Sequence, residues 1–346
     1  MKSVRLSGIR RLEIEDLPEP KIENPTDVFL RVEAVGLCGS DLHYFLYGGI
    51  GDQVVQYPFT IGHECAAEVK ETGPECTRVK PGDKVVVDPA VACGNCDQCR
   101  SGRRHTCRNL RFLGCPGQME GCLSEFLVLP EVNCYPVSEG MTAAQKVLVE
   151  PLSIGLYAVN FLKDIQVLTI GILGSGPIGL SAILAARASG IQNIFATDKI
   201  EKRVEAAKTA GAVWAGNPDK TDIVKAITKK EVHGLDAVLE CCGDQEALDQ
   251  GVELLKPGGR LLILGIPETD RITFDVHKMR RKEISLQNVR RQNRCVEEAV
   301  SLIQDGRVNV DFMATHAFSL EEAQKAFELL AGYADGVIKA SVRMEE

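Results

Sequence analysis

The first 150 residues carry the pattern of short strands. Residues 27–35 alternate partly between apolar and polar positions with a period of two, which predicts a half-buried strand. Residues 65–69 and 84–87 are further strand candidates, separated by the turn sequence Lys80-Pro81-Gly82-Asp83. Runs at 123–129 and 133–137 complete an all-β reading of this region.

The pattern changes near Glu150. From Val167 onward, apolar runs too short for helices alternate with helical stretches. Strands are predicted at 167–173, 193–197, 236–240, 260–265 and 284–288. Helices are predicted at 177–189, stopped by Gly190, at 200–210, closed by Gly211, and at 246–255. Lys256-Pro257-Gly258-Gly259 reads as the turn after the last of these. This βαβ rhythm predicts an α/β fold with a doubly wound parallel sheet. Two amphipathic helices, at 295–304 and 320–331, and a strand at 337–342 follow. This tail is expected to return to the N-terminal domain.

Composition narrows the class. A length of 346 residues predicts about two domains. With 45% apolar and 25% charged residues, the chain is not disordered. A net charge of −8 argues against a nucleic-acid or acidic-membrane binder. The charge-free stretch 167–186 is as long as a membrane span, but Gly171, Gly174, Gly176, Pro177 and Gly179 interrupt it, so it reads as strand, turn and buried helix. The N-terminus lacks an apolar run of signal-peptide length, and a cytoplasmic location is expected.

Three groups of residues carry chemistry. Gly174-Ser175-Gly176-Pro177-Ile178-Gly179 matches G-x-G-x-x-G between a strand and a helix. The first glycine makes a tight turn, the second admits a pyrophosphate, and the third packs helix on strand. Asp198, at the end of the next strand, is placed to accept from both ribose hydroxyls and to repel a 2′-phosphate. NAD is therefore favoured over NADP, with Arg203 read as an adenine or ribose contact and Lys199 as a nearby cation. Cys93, Cys96, Cys99 and Cys107 have the spacing C-x2-C-x2-C-x7-C, which suits a closed, structural tetrahedral zinc site. Arg100, Arg103, Arg104, Arg108 and Arg111 make this lobe basic. The aromatic side chains that single-strand binding requires are missing, so no nucleic-acid partner is expected. The third group is dispersed: Cys38 in Gly36-Leu37-Cys38-Gly39-Ser40-Asp41-Leu42-His43, His63-Glu64, and Glu150 in Glu150-Pro151-Leu152-Ser153.

Taken together in this order, the motifs resemble the zinc-dependent medium-chain dehydrogenase/reductase superfamily, over essentially the whole chain. Cys38 to Tyr44 and Glu150 to Ser153 resemble its sorbitol (polyol) dehydrogenase branch. The resemblance implies a GroES-like, mostly β catalytic domain at 1–155, completed by 290–346, and a Rossmann NAD-binding domain at 156–289. It implies two Zn²⁺ per chain, one catalytic and one structural, and NAD(H). Cys38 and His63 match the constant ligands of the catalytic zinc, with Glu64 or Glu150 as the third. Ser40 and His43 match a proton relay, and Asp41 an acid that orients His63. Tyr44, Glu150 and Arg290 match substrate-side positions, although the alignment near Arg290 could slip to Arg291. The implied reaction is oxidation of a secondary hydroxyl of a sorbitol-, iditol- or galactitol-like polyol to the ketose. L-threonine, a sugar phosphate or a simple alcohol is an alternative substrate within the superfamily, and a non-catalytic zinc and nucleotide-binding protein is a remote alternative. Members of the superfamily are dimers or tetramers, so a homo-oligomer without membrane association is expected.

Overall fold

The computed structural model describes residues 1–344, which form two compact units. One comprises residues 1–150 with 296 onward; the other is Pro151–Cys295.

The first unit is built on a mixed seven-stranded sheet. Its order is Cys134–Pro136, Lys84–Val87, Glu64–Thr72, Asp27–Gly36, Lys339–Arg343 and Ala314–Ser319, with Phe126–Pro130 also pairing with Asp27–Gly36. The C-terminal strand enters this sheet directly, with Ser341 opposite Gly36 and Val342 opposite Val35. Lys2–Gly8 and Arg11–Asp16 form a second small sheet with Phe59–Thr60. Alternation along Asp27–Gly36 places Val28, Leu30 and Val32 in a core shared with Val69, Leu129, Phe327 and Val342.

The second unit is a six-stranded sheet in the order Trp214–Gly216, Asn193–Thr197, Thr169–Leu173, Leu235–Glu240, Leu255–Ile263, Ser285–Asn288. Every pair is parallel. Numbered along the chain this is 3-2-1-4-5-6, the order of Rossmann sheets. The central strands are buried along their length, and Leu235–Glu240 is buried at every position.

The structure corrects several sequence expectations. Lys256-Pro257-Gly258-Gly259 does not end an element. It lies within Leu255–Ile263 as a bulge, so that Leu235 faces Leu255 but Ala237 faces Arg260. Strands pair on both sides of the interruption, and the extra residues loop out opposite Asp236. The strand expected at 123–129 begins at Phe126. Gly39–Tyr47 and Val149–Asn160 are helices that strand-like patterning did not suggest.

Asp236 ties this bulge to the first strand. Its Oδ2 accepts hydrogen bonds from Leu168 N at 2.7 Å, Thr169 N at 2.8 Å and Thr169 Oγ1 at 3.1 Å, while Oδ1 pairs with Lys256. Burial raises this carboxyl, but Lys256 and the backbone donors outweigh it and hold it below its ordinary value. A depressed folded-state value stabilises above the unfolded value of about 3.9 and is lost as pH falls through the folded one. Asp236→Ala is expected to cost about 1–3 kcal/mol at pH 7. In urea titrations the gap from the parent should shrink below pH 4; equal stability at pH 7 contradicts this account.

Candidate active site and metal centres

Cys38 ends the strand-to-helix connection and is the N-cap of Gly39–Tyr47. His63 and Glu64 open the neighbouring strand region, and Glu64 is already in register opposite Gly36. The sheet therefore brings residues 25 positions apart together, with His63 and Glu64 buried and Cys38 half-buried. Ligand atoms of Cys38, His63 and Glu64 lie within 4.8 Å of one another.

One carboxylate joins these segments. Asp41, fully buried in the first turn of the helix, accepts from Cys38 N and from Gly62 N, each at 3.1 Å. Its Oδ1 also stands 3.5 Å from His63 Nδ1. Nδ1 is thus occupied, and Nε2 is left as the ring nitrogen for a metal. Burial alone would lower the His63 imidazole. Asp41 and Cys38 outweigh that effect and hold it well above its ordinary value. Phe112 packs against the same ring, with centroids 5.4 Å apart.

Glu64 is held from the other side. Lys339 Nζ donates to Glu64 Oε1 at 2.6 Å, to Oε2 at 2.7 Å and to Leu37 O at 2.9 Å. Both side chains are at most 2% exposed. An ion pair this dry is maintained only when both charges are compensated. Sequence reading missed Lys339. The available signal was a single charged residue in the otherwise apolar run Val337-Ile338-Lys339-Ala340.

Glu150 sits in the first turn of Val149–Asn160 and is buried. Its carboxyl is pushed up to about 7, chiefly by burial; His63 and Lys339 oppose the rise and Glu64 adds to it. Glu150 thus shares the electrostatic environment of the cluster but is not in the group within 4.8 Å. Ser40 and His43 are half-buried, three residues apart on Gly39–Tyr47. Tyr44 is buried in the core, its hydroxyl 3.4 Å from Gln53 Oε1 and 3.9 Å from Cys115 Sγ. Arg290 is exposed just beyond the strand Ser285–Asn288 in the other unit, and Arg291 follows it with φ +54°.

The four cysteines of the basic lobe converge as well. Cys96 and Cys99 sulfurs are 3.6 Å apart, Cys96 and Cys107 3.8 Å, and Cys93 and Cys107 3.4 Å. Four sulfurs around a tetrahedral zinc with bonds of about 2.3 Å stand about 3.8 Å apart, so the cluster fits the ion. Backbone donors lower the Cys96 thiol to about 6. Burial and hydrogen bonds shared with Cys96 and Cys107 push Cys99 up to about 12. Four sulfurs at this spacing could hold a metal ion, and a central cation would stabilise all four as thiolates. Two of the lobe's arginines serve its own fold: Arg108 pairs bidentately with Asp97, and Arg103 donates to Gln98.

In the parallel unit, the glycine turn follows Thr169–Leu173 and opens Pro177–Ala188, with Pro177 in the first turn. A Cβ on Gly179 would stand 1.9 Å from Gly174 O, so only glycine lets the helix pack there. Ile178 is half-buried in the first helical turn. Asp198 braces the turn: Oδ2 accepts from Ser175 N and Oδ1 from Ile200 N, both at 2.8 Å. The Arg203 guanidinium lies 3.5 Å from where a Cβ on Gly176 would be, which puts it beside the second glycine. Lys199 is engaged by Asp244 at 3.1 Å.

Comparison with known proteins agrees with this arrangement. Residues 24–139 match the alcohol dehydrogenase GroES-like domain, and 177–305 match the zinc-binding dehydrogenase family. The chain is 34% identical over 345 residues to sorbitol dehydrogenase of Bacillus subtilis (strain 168), covering 99% of this chain and 97% of that one. The chain belongs to the polyol branch of the zinc-dependent medium-chain dehydrogenase/reductase superfamily. D-xylulose reductase A of Aspergillus niger is 32% identical over 329 residues, covering 93% and 91%. An Escherichia coli oxidoreductase/dehydrogenase of unknown specificity superposes with a TM-score of 0.92 at 29% identity, covering 100% and 99%.

The cysteine geometry makes a direct prediction. Elemental analysis of the purified protein should give two zinc ions per chain. Cys99→Ser should give one, with a lower melting temperature; an unchanged zinc content contradicts a thiolate-bound ion in the lobe.

Proposed function

We propose that this enzyme oxidises a secondary hydroxyl of a polyol to the ketose, with NAD⁺ as hydride acceptor. The observation that carries the proposal is the buried convergence of Cys38, His63 and Glu64, fixed by Asp41 and Lys339, in a chain of the polyol branch. When bound, zinc would acidify the substrate hydroxyl and the nicotinamide would take the hydride from its carbon.

The chain's own residues supply the rest. Cys38, His63 and Glu64 hold the metal, and Glu150 completes the polar face of the site. Asp41 orients His63 through Nδ1. Ser40 Oγ would accept the hydroxyl proton as it gives its own hydroxyl proton onward to the His43 imidazole, which releases one to solvent, since imidazole is the side chain suited to proton transfer near neutral pH. Cys93, Cys96, Cys99 and Cys107 hold the structural ion. The glycine turn from Gly174 to Gly179 holds the pyrophosphate at a helix N-terminus. Asp198 faces the ribose and disfavours a 2′-phosphate, and Lys199, engaged by Asp244, does not offset it. Tyr44, on the same helix as Ser40 and His43, Glu150 and Arg290 are the residues proposed to read substrate hydroxyls.

We also propose a homo-oligomer of dimeric or tetrameric form. Ser285–Asn288 is the last strand of its sheet, which leaves an edge that a second copy can pair with. A reducing cytoplasmic setting suits the thirteen cysteines, none of which forms a disulfide among the described residues. No helix among the described residues is long and apolar enough to cross a membrane.

Absorbance at the NADH band tests the reaction, using NAD⁺ with polyols, sugar phosphates, sugar acids, simple alcohols and L-threonine, before and after chelation. A chelator-sensitive signal with a neutral polyol is expected, abolished in Cys38→Ser. Turnover confined to phosphorylated substrates, to L-threonine or to simple alcohols would overturn the polyol assignment, and full activity in Cys38→Ser would overturn the metal assignment.

A further inference from the structure

Glu240 ends the fourth strand in chain order of the parallel sheet and is completely buried. It lies at the carboxyl ends of the strands, where ligands of this sheet type bind. Among the described residues its side chain pairs with no cation. Oε1 accepts from Cys242 N at 2.7 Å and Gly243 N at 2.6 Å. Its backbone carbonyl accepts from Leu264 N at 2.8 Å and Gly265 N at 3.0 Å, in the segment that leaves the next strand. One residue thereby gathers two strand-exit loops. Oε2 is buried with no hydrogen-bond partner among the described residues and lies against Gly265, where an added Cβ would stand 2.6 Å from it.

The two loops meet with no room to spare. A Cβ on Gly265 would be 2.1 Å from Gly243 N, and one on Gly243 would be 2.3 Å from Ile266 O. The gathered loop also abuts the dinucleotide turn. A Cβ on Gly174 would be 2.8 Å from Cys242 Cβ and 3.1 Å from the Cys241 carbonyl carbon, and Cys241 N donates to Leu173 O at 2.7 Å. The first glycine of the turn therefore rests on the loop that Glu240 fixes.

We infer that Glu240 is a positioning residue for the dinucleotide: its carboxylate fixes loop 241–243, whose strand its backbone carbonyl ties to loop 264–266, and so sets the wall on which the Gly174 turn sits. The inference rests on the reading of that turn as the NAD site. A buried carboxylate that accepts two backbone N–H groups costs its full desolvation, and the compensation it receives here is loop geometry rather than ion pairing. Glutamine retains an acceptor at Oε1 and the same length. Alanine leaves both amides without their acceptor.

The test is NADH affinity by fluorescence titration of the zinc-loaded protein, with the melting temperature of the NADH-free protein measured alongside. Glu240→Ala should raise the NADH Kd at least tenfold, Glu240→Gln should stay within threefold of the parent, and kcat at saturating NAD⁺ should change less than KM for NAD⁺. Gly265→Ala, which forces the loops apart from the other side, should reproduce the loss and decides the matter if Glu240→Ala does not fold. Parental NADH affinity in Glu240→Ala or in Gly265→Ala, despite a lowered melting temperature, would show a purely structural role and overturn the inference. A parent protein that fails to bind NADH would overturn both the inference and the NAD reading beneath it.

Discussion

The candidate active site depends on where one buried carboxylate sits. Asp41 binds the backbone of Cys38, the backbone of Gly62 and the ring of His63. The two segments that carry the candidate ligands lie on different elements, and sheet pairing alone fixes their backbones only as far as Gly36 and Glu64. Asp41 supplies the remaining precision and at the same time selects the imidazole nitrogen left for the metal. Such outer-sphere partners typically matter about tenfold to a hundredfold in metal affinity.

Around that constraint the chain places charge in dry surroundings and compensates each instance differently. Lys339 answers Glu64 with both carboxylate oxygens engaged. The four sulfurs of the basic lobe stand at the spacing of a tetrahedral metal site. Glu150 is left partly compensated, and its carboxyl rises to about 7. In the parallel unit, Asp198 and Glu240 are both answered by backbone N–H groups. There the carboxylates hold turns, whereas in the first unit Asp41 braces the cluster of Cys38, His63 and Glu64.

Much of this was legible in the sequence because the features are local. The glycine turn, the four-cysteine spacing and the βαβ rhythm each occupy a short window in which residue type dictates geometry. Asn193–Thr197 and Lys84–Val87 were delimited correctly from apolar runs alone. The short helix Gly39–Tyr47 was not, because its signal is an N-terminal cap at Cys38 rather than a long period, and the helix starts only once Asp41 bonds back to Cys38. The bulge at 256–259 was read as a turn because Pro-Gly-Gly signals interruption without showing that pairing resumes. Lys339 shows in the sequence only as a lone charge in an apolar run and Glu240 not at all: their partners lie far away in sequence or are backbone amides, and neither leaves a spacing to recognise. That Glu64 rather than Glu150 stands with Cys38 and His63 likewise emerges only in three dimensions.

The central claim is that Asp41 assembles the catalytic metal centre without contributing a ligand. Zinc content of Asp41→Ala, measured by elemental analysis on protein that retains the parental circular dichroism, tests it most directly. The account predicts one zinc per chain, the ion of the four-cysteine lobe, with the second recovered only at raised free zinc. Two zinc ions per chain at parental affinity would contradict it.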